Sequence, residues 1–187
     1  MAGEIQLNST TFASESSGTI TVNNSTLASN VVFPTDHIIQ IVTLQTTAQS
    51  SLANAAEFTS IRKSITPTAT GSRLMVNYSF GHVGASTSAD QGLAPIRSTD
   101  SGSNWSEFSV GSGGTRNVMF SQTDVGGAGG VTCSYTFIDP GVSTTAGSSI
   151  MYSIRAYTNT GTLYINRRGD DTTNAAISTI TIFELAG

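Results

Sequence analysis

Side chains able to do chemistry are sparse in this sequence. Its 187 residues hold twelve carboxylates, two histidines, one cysteine and one lysine. His37 and His82 could each serve as a general base, a role that needs a neighbouring group to orient the ring. Neither has a carboxylate at a useful spacing, so both read as surface or loop histidines. Asp170-Asp171 with Asn174 is the one acidic cluster. Calcium loops place such oxygens at fixed intervals. That spacing is missing here, and Arg167-Arg168 precedes the pair, which suits a solvated turn with local charge compensation. A glycoside-cleaving pair of carboxylates, with Glu107 or Asp171 as a member, depends on separation in space rather than in sequence. One cysteine and two histidines cannot build a zinc cluster, and Cys133 has no partner for an intrachain disulfide.

Phosphate chemistry fares no better. A P-loop needs a lysine directly after its glycines, whereas Lys63 sits in a strand-like segment. Gly126-Gly-Ala-Gly-Gly130 precedes a strand instead of opening a helix, so it fails the dinucleotide test. The nucleophile elbow Gly-x-Ser-x-Gly is absent. The expectation is a protein with no catalytic residue, no metal and no cofactor, and not an enzyme. Trp105 remains, the sole tryptophan, in the polar stretch Asp100-Ser-Gly-Ser-Asn-Trp-Ser-Glu107. Its ring either stacks on a sugar or partner surface or plugs one end of a sandwich.

Composition narrows the classes further. Charged residues make up 11% of the chain, against about 25% in an average domain. Hydroxyls fill the deficit, with 27 Ser and 28 Thr. Net charge is −4, and the cations are scattered except for Arg62-Lys63 and Arg167-Arg168. Nucleic-acid binding needs clustered cations to displace phosphate counterions, so no nucleic-acid partner is expected. No apolar run approaches the ~20 residues that span a bilayer, and the N-terminus lacks the cationic and apolar regions of a signal peptide. No membrane insertion and no secretion are expected. Weak charge also leaves little repulsion between copies, which suits dense packing of identical subunits.

The elements that must position these residues are strands almost throughout. Residues 38–44 form a β-branched run. Segments 58–65 and 73–80 follow, the latter alternating Leu74, Val76, Tyr78 and Phe80 on one face. Further strands are expected at 94–97, 117–120, 131–137, 150–157, 163–167 and 177–185. In these, Val131, Cys133, Tyr135 and Phe137 share one side, as do Ile150, Tyr152, Ile154 and Ala156. Turn residues separate them, including Asp139-Pro140-Gly141 and Asn159-Thr-Gly161. Residues 47–57 carry five Ala or Leu and admit a helical turn, weakened by Ser and Asn. The Gly-rich stretches 111–114 and 126–130 read as connectors. This pattern predicts an all-β fold, an antiparallel jelly roll or β-sandwich over residues 37–187.

Residues 1–36 form a separate block, a short extended N-terminal arm ending near Pro34. Its two strand-like pieces, 4–7 and 18–22, hold too few large apolar residues to bury a core. Open strands seek pairing, so the arm is expected to anchor on its own domain or on a partner. Ile5, Leu7, Ile20 and Val22 are the expected anchoring residues.

At Ile65-Thr-Pro-Thr-Ala-Thr-Gly-Ser-Arg-Leu-Met-Val76 the sequence resembles the β-sandwich domain of virion surface proteins from tailed phages. Marine and cyanobacterial members of this group are often labelled tail-fibre-like. Phe137-Ile-Asp-Pro140, Ser143-Thr-Thr and Met151-Tyr-Ser-Ile-Arg155 follow in the same order. Gly161-Thr-Leu-Tyr-Ile-Asn-Arg167 then precedes an Asp-rich turn and the closing segment Ser178-Thr-Ile-Thr-Ile-Phe-Glu-Leu-Ala-Gly187. The opening Met1-Ala-Gly-Glu-Ile-Gln-Leu-Asn-Ser9 is similar to the anchoring starts of such proteins. The resemblance implies a jelly roll assembling as a homotrimer, and it transfers no catalytic residues. Only about 36 residues precede the domain, so a long fibre shaft is not expected. The functional expectation is a virion structural protein made in the host cytoplasm and carried on the virion surface. There it would be a trimeric decoration or cement protein, with the phage major capsid protein or another virion protein as partner. The alternative is a receptor-binding tail-fibre or spike tip that recognises host glycans around Trp105.

Overall fold

The computed structural model describes residues 4–7, 10–16, 19–22, 34–86, 91–108, 120–122 and 129–187. The chain divides into two compact units, Met1–Phe33 and Pro34–Gly187. The break comes three residues before the boundary the sequence suggested. Asp36 and His37 belong to the second unit, where Asp36 N–H donates to the Ala186 carbonyl and Ala186 N–H donates to that of His37.

In the first unit β1 (Glu4–Leu7), β2 (Thr10–Ser16) and β3 (Thr19–Val22) form an antiparallel sheet in that order. The arm is extended and pairs with itself. β2 lies between the two strand-like pieces expected at 4–7 and 18–22. Backbone N–H and C=O groups need partners whatever the side chains are, and strands adjacent in the chain supply them locally. Ile5 registers opposite Ala13, and Ala13 opposite Val22.

The second unit is an antiparallel β-sandwich of the jelly-roll kind, so the expected fold class holds. One sheet contains β4 (Ile38–Thr46), β5 (Ser50–Leu52), β7 (Arg73–Ala85), β11 (Val131–Ile138), β13 (Leu163–Ile165) and β14 (Ser178–Leu185). β7 is its spine. β14 pairs with the first part of β7 and β13 with the last part, both along one edge, while β11 follows the other edge. β4 and β5 pair outside β14 and β13, so the sheet is four strands wide. The second sheet contains β6 (Lys63–Ile65), β8 (Gln91–Ser98), β9 (Ser106–Glu107), β10 (Phe120–Gln122) and β12 (Ile150–Thr158). β12 lies between β8 and β6, and β9 and β10 share the far edge of β8.

The alternation expected on two strands builds the core. Leu74, Val76, Tyr78 and Phe80 of β7 face Ile150, Tyr152, Ile154 and Ala156 of β12, all buried. Ile180, Ile182, Leu93, Ile61 and Ile65 complete it. Complete burial of a large apolar side chain is worth about 1.5–3 kcal/mol, so these two stripes dominate the stability of the domain. The two tyrosines carry their polar ends inward. Tyr78 Oη donates to the Ser153 carbonyl at 2.9 Å and Tyr152 Oη to Asp139 Oδ2 at 2.8 Å. Burial, reinforced by the Asp139 charge, pushes both phenols far above their ordinary range.

Three local expectations change, and a fourth lies mostly outside the described residues. Residues 58–65 are not one strand: a 3-10 turn, Thr59–Ile61, precedes β6. Phe58 and Ile61 still reach the core because the turn rolls both inward. Residues 47–57 form β5 and a turn rather than a helical segment, and Ala55 takes a left-handed φ of 63°. The strand expected over 163–167 stops at Ile165, because Asn166 adopts φ 60°. Of 117–120, only Phe120 is described, as the first residue of β10; Gly111–Gly114 and Gly126–Ala128 also lie outside the described residues.

Candidate functional site

Two surfaces of the sandwich have the geometry of a binding site. The first is a cleft beside the loop that holds Trp105. β8 ends at Ser98 and the chain returns as β9, with Arg97 opposite Ser106 and Ile96 opposite Glu107. The intervening loop is pinned by one carboxylate. Asp100 Oδ1 accepts from Ser98 Oγ at 2.6 Å and from Asn104 N–H at 2.9 Å, and Oδ2 accepts from Asn104 Nδ2 at 2.6 Å. Gly102 N–H closes the inside by donating to Ser98 Oγ at 2.8 Å. Ser101 and Gly102 both take left-handed φ values, 61° and 85°, which a tight turn requires. The bonds from Ser98 and then Asn104 hold the Asp100 carboxyl down at about 2.

Between this loop and residues 141–143 lies an open cleft of about 320 Å³. Arg97 forms its inner end. The guanidinium pairs with Asp139, whose side chain is fully buried, and Nη2 donates to the Gly141 carbonyl at 2.9 Å. Its cationic carbon sits 5.1 Å from the Phe108 ring centre. Asp139 in turn accepts from Tyr152 Oη and from Gly141 N–H. The arginine is therefore fixed from beneath by the core of the domain.

Trp105 lies next to this cleft but does not line it. Its ring is half-buried under the Arg62 guanidinium, 5.3 Å from the centroid, and Arg62 is itself held by two bonds to Glu57 of 2.7 and 2.6 Å. The ring is neither part of the core cluster nor a free platform; it is one face of a Trp105–Arg62–Glu57 stack.

The second surface is the outer face of the β7 sheet. Residues directly opposite each other across an antiparallel pair point to the same side. The register therefore lays out three cross-strand rows: Ile41–Phe183–Met75–Ile138, Thr43–Thr181–Asn77–Thr136 and Gln45–Thr179–Ser79–Ser134. None of these twelve positions carries a charge. Ile41 and Ile138 are 55% and 41% exposed. Thr43 donates to Thr181 at 3.2 Å and Asn77 Nδ2 donates to Thr136 at 2.6 Å, so the middle row is tied across the sheet. The Arg73–Asp36 ion pair stands beyond the apolar row, at the end of the face. The strands that flank this face, β4 and β11, contain no Lys, Arg, Asp, Glu or Pro.

The remaining candidates do not gather into a reactive site. Glu107 is engaged by Arg155 Nη1 at 2.7 Å and by Tyr157 Oη. Asp171 accepts from Thr173 N–H and Asn174 Nδ2, while Asp170 pairs with Arg168, which makes the loop a compensated turn. His82 lies within β7 with its ring against Gly130, and burial followed by the Arg168 charge lowers its pKa. Burial pushes the Cys133 thiol up to about 11, so it is protonated and unreactive at neutral pH. Among the described residues no group of three or more His, Cys, Asp or Glu could hold a metal ion. Ile5 and Leu7 are placed in β1 and Ile20 and Val22 in β3, with their side chains outside what is described.

Sequence reasoning missed Glu184, fully buried at the end of β14 and accepting from Thr68 N–H, Thr68 Oγ1 and Ala69 N–H. Its parity with Ile180 and Ile182 was the available signal. It missed Arg97 as well, because the partner Asp139 lies 42 residues away. Neither a protein-family model nor a curated protein matches the chain.

Proposed function

We propose that the protein is a structural subunit of a tailed-phage virion that works by contact with copies of itself and with its neighbours rather than by chemistry. The observation that supports this most directly is the uncharged outer face of the β7 sheet. A solvent-facing surface normally carries about 25–35% Lys, Arg, Glu and Asp. Here twelve adjacent positions carry none, and a row of Ile41, Phe183, Met75 and Ile138 gives them an apolar edge. Joining such a surface to a copy removes no ion from water, so the large desolvation cost of burying charges is absent and only that of neutral hydroxyls and amides is left.

In this reading the subunit is a homotrimeric decoration or cement protein on the capsid. The sandwich mediates self-association, and the N-terminal unit anchors to the major capsid protein through Ile5, Leu7, Ile20 and Val22. Interfaces of at least ~1,000 Å² are needed for a stable clamp. Cryo-EM of particles carrying the protein tests this. Hundreds of copies on the capsid lattice, lost when residues 1–36 are deleted, are expected. A few copies on the tail, or attachment that survives the deletion, would overturn the decoration reading in favour of a fibre or spike tip.

A further inference from the structure

We propose that copies of the chain join head to tail along the β7 sheet, the free edge of β4 in one copy adding to the free edge of β11 in the next. The proposal rests on the reading of this protein as a self-associating subunit and names the contact that joins the copies. Among the described residues β4 pairs only with β14 and β11 only with β7, so each ends the sheet. No main-chain group of residues 38–45 or 131–138 bonds outside those two pairs among the described residues. Such rows of unpaired N–H and C=O groups accept a further strand. Four large apolar side chains are exposed among the described residues, and three of them, Ile38, Ile41 and Ile138, stand on these two strands.

Strand direction and register both fit this pairing. β4 is antiparallel to β14, β14 to β7 and β7 to β11, so the two edges run in opposite directions. A copy placed alongside in the same orientation therefore meets its neighbour as an antiparallel pair. Continuing the cross-strand rows sets Ile41 opposite Ile138 of the next copy, Thr43 opposite Thr136 and Gln45 opposite Ser134. Apolar meets apolar and hydrogen-bonding groups meet their like, on two strands with no charge to repel or desolvate. A twofold pairing of β4 with a second β4 about its middle residue, Val42, sets Ile41 opposite Thr43 and loses that match.

A head-to-tail contact forms a ring when its rotation closes. The inner side of the sheet is covered by the second sheet, so the ring carries that second sheet outside and turns the three uncharged rows toward the axis. The face is four strands wide, about 19 Å at ~4.8 Å per strand. Three such faces stand about 5–6 Å from a threefold axis, roughly half the ~10 Å between packed sheets, so their side chains fill the centre. Four would stand about 10 Å from the axis and leave it empty. Edge pairing and burial of the uncharged face thus belong to one assembly.

Disulfide trapping in the full chain tests the contact, with the native thiol removed by Cys133→Ser in every sample. Opposed residues of an antiparallel pair have Cα atoms about 4.5–5.5 Å apart, within disulfide reach. Ile41 and Ile138 of one chain stand three strand spacings apart, about 14 Å, and cannot join. Under mild oxidation Ile41→Cys with Ile138→Cys is expected to give covalent species of up to three chains on a non-reducing gel. Either substitution alone, and Ile41→Cys with Ser134→Cys four residues out of register, are expected to stay single chains. Covalent species larger than three chains would overturn the ring. A dimer from either single variant, or no cross-link from the matched pair in a chain that sediments as an oligomer, would overturn the contact and leave self-association standing. Sedimentation of wild type and matched pair as monomers would overturn both.

Discussion

Asn166 shows how much a single side chain organises in this domain. It is fully buried at φ 60°. Its Nδ2 donates to the carbonyls of Thr46 and Ala48, and its Oδ1 accepts from Ser178 Oγ at 2.7 Å. It ends β13, ties down the bend between β4 and β5, and starts the excursion that returns at Ala176, whose N–H donates to the Asn166 carbonyl. Asn tolerates the left-handed region better than other residues with a Cβ, and its buried side chain bonds three groups at once. Asn166→Ala is expected to destabilise the domain by about 3 kcal/mol, since each net bond is worth ~1 kcal/mol and the backbone strain adds to that. Asn166→Gly, which relieves the strain but not the lost bonds, is expected to cost about 1 kcal/mol less. Urea unfolding of the two variants checks the difference. Nothing local marks this residue in Tyr164-Ile-Asn-Arg167, because its partners stand 12 to 120 positions away. Trp105 was visible as a singular residue, yet its stack with Arg62 was not, for the same reason of distance in the chain.

At the scale of elements, β7 accounts for most of what the sequence showed and what it hid. Alternation identified residues 73–80, and the strand runs on to Ala85. The extension exists because β7 changes partners, from β14 to β13, at Gly81. A Cβ at that position would lie 2.7 Å from the Ile177 carbonyl oxygen, a backbone atom that cannot swing aside. Gly81→Ala is therefore expected to cost roughly 1–3 kcal/mol, the usual penalty of forcing atoms into a packed site. Thermal unfolding measures it, with Ser79→Ala on the same strand's outer face expected near neutral. Strands with clean alternation, β7 and β12, were readable because one face is core and the other is not. Residues 47–57 were not, because their Ala residues follow neither period. That segment is shaped instead by the edge of β12, where Ala55 N–H donates to Ala156 and Phe58 N–H to Ile154.

For the whole molecule, one group of the chain's hydroxyls has a definite location. Thr43, Thr181, Thr136, Thr179, Ser79 and Ser134, with the amide of Asn77, occupy outward positions of one four-stranded sheet. Among the described residues most of the ionised groups are paired, as in Arg62–Glu57, Arg73–Asp36, Arg97–Asp139, Arg155–Glu107 and Arg168–Asp170. Few net charges are left to keep copies apart. The edges of that sheet, β4 and β11, lack the lysines and prolines that usually block strand addition. Composition alone located none of this; the strand register did, by assigning these six hydroxyls to one side.

The measurement that bears most directly on the assembly role is the solution mass of the full chain by sedimentation velocity, alone and with one charge added to the middle of the face. The wild-type chain is expected at three times the 19.4 kDa of one chain. Thr181→Lys, at a half-exposed outward position, is expected to drop it to the mass of a single chain that keeps the β-sheet circular-dichroism spectrum of the wild type, with an unfolding temperature lowered only by the loss of association. A wild-type chain that sediments as a monomer, or an oligomer that Thr181→Lys leaves intact, would contradict the assembly role assigned to this face.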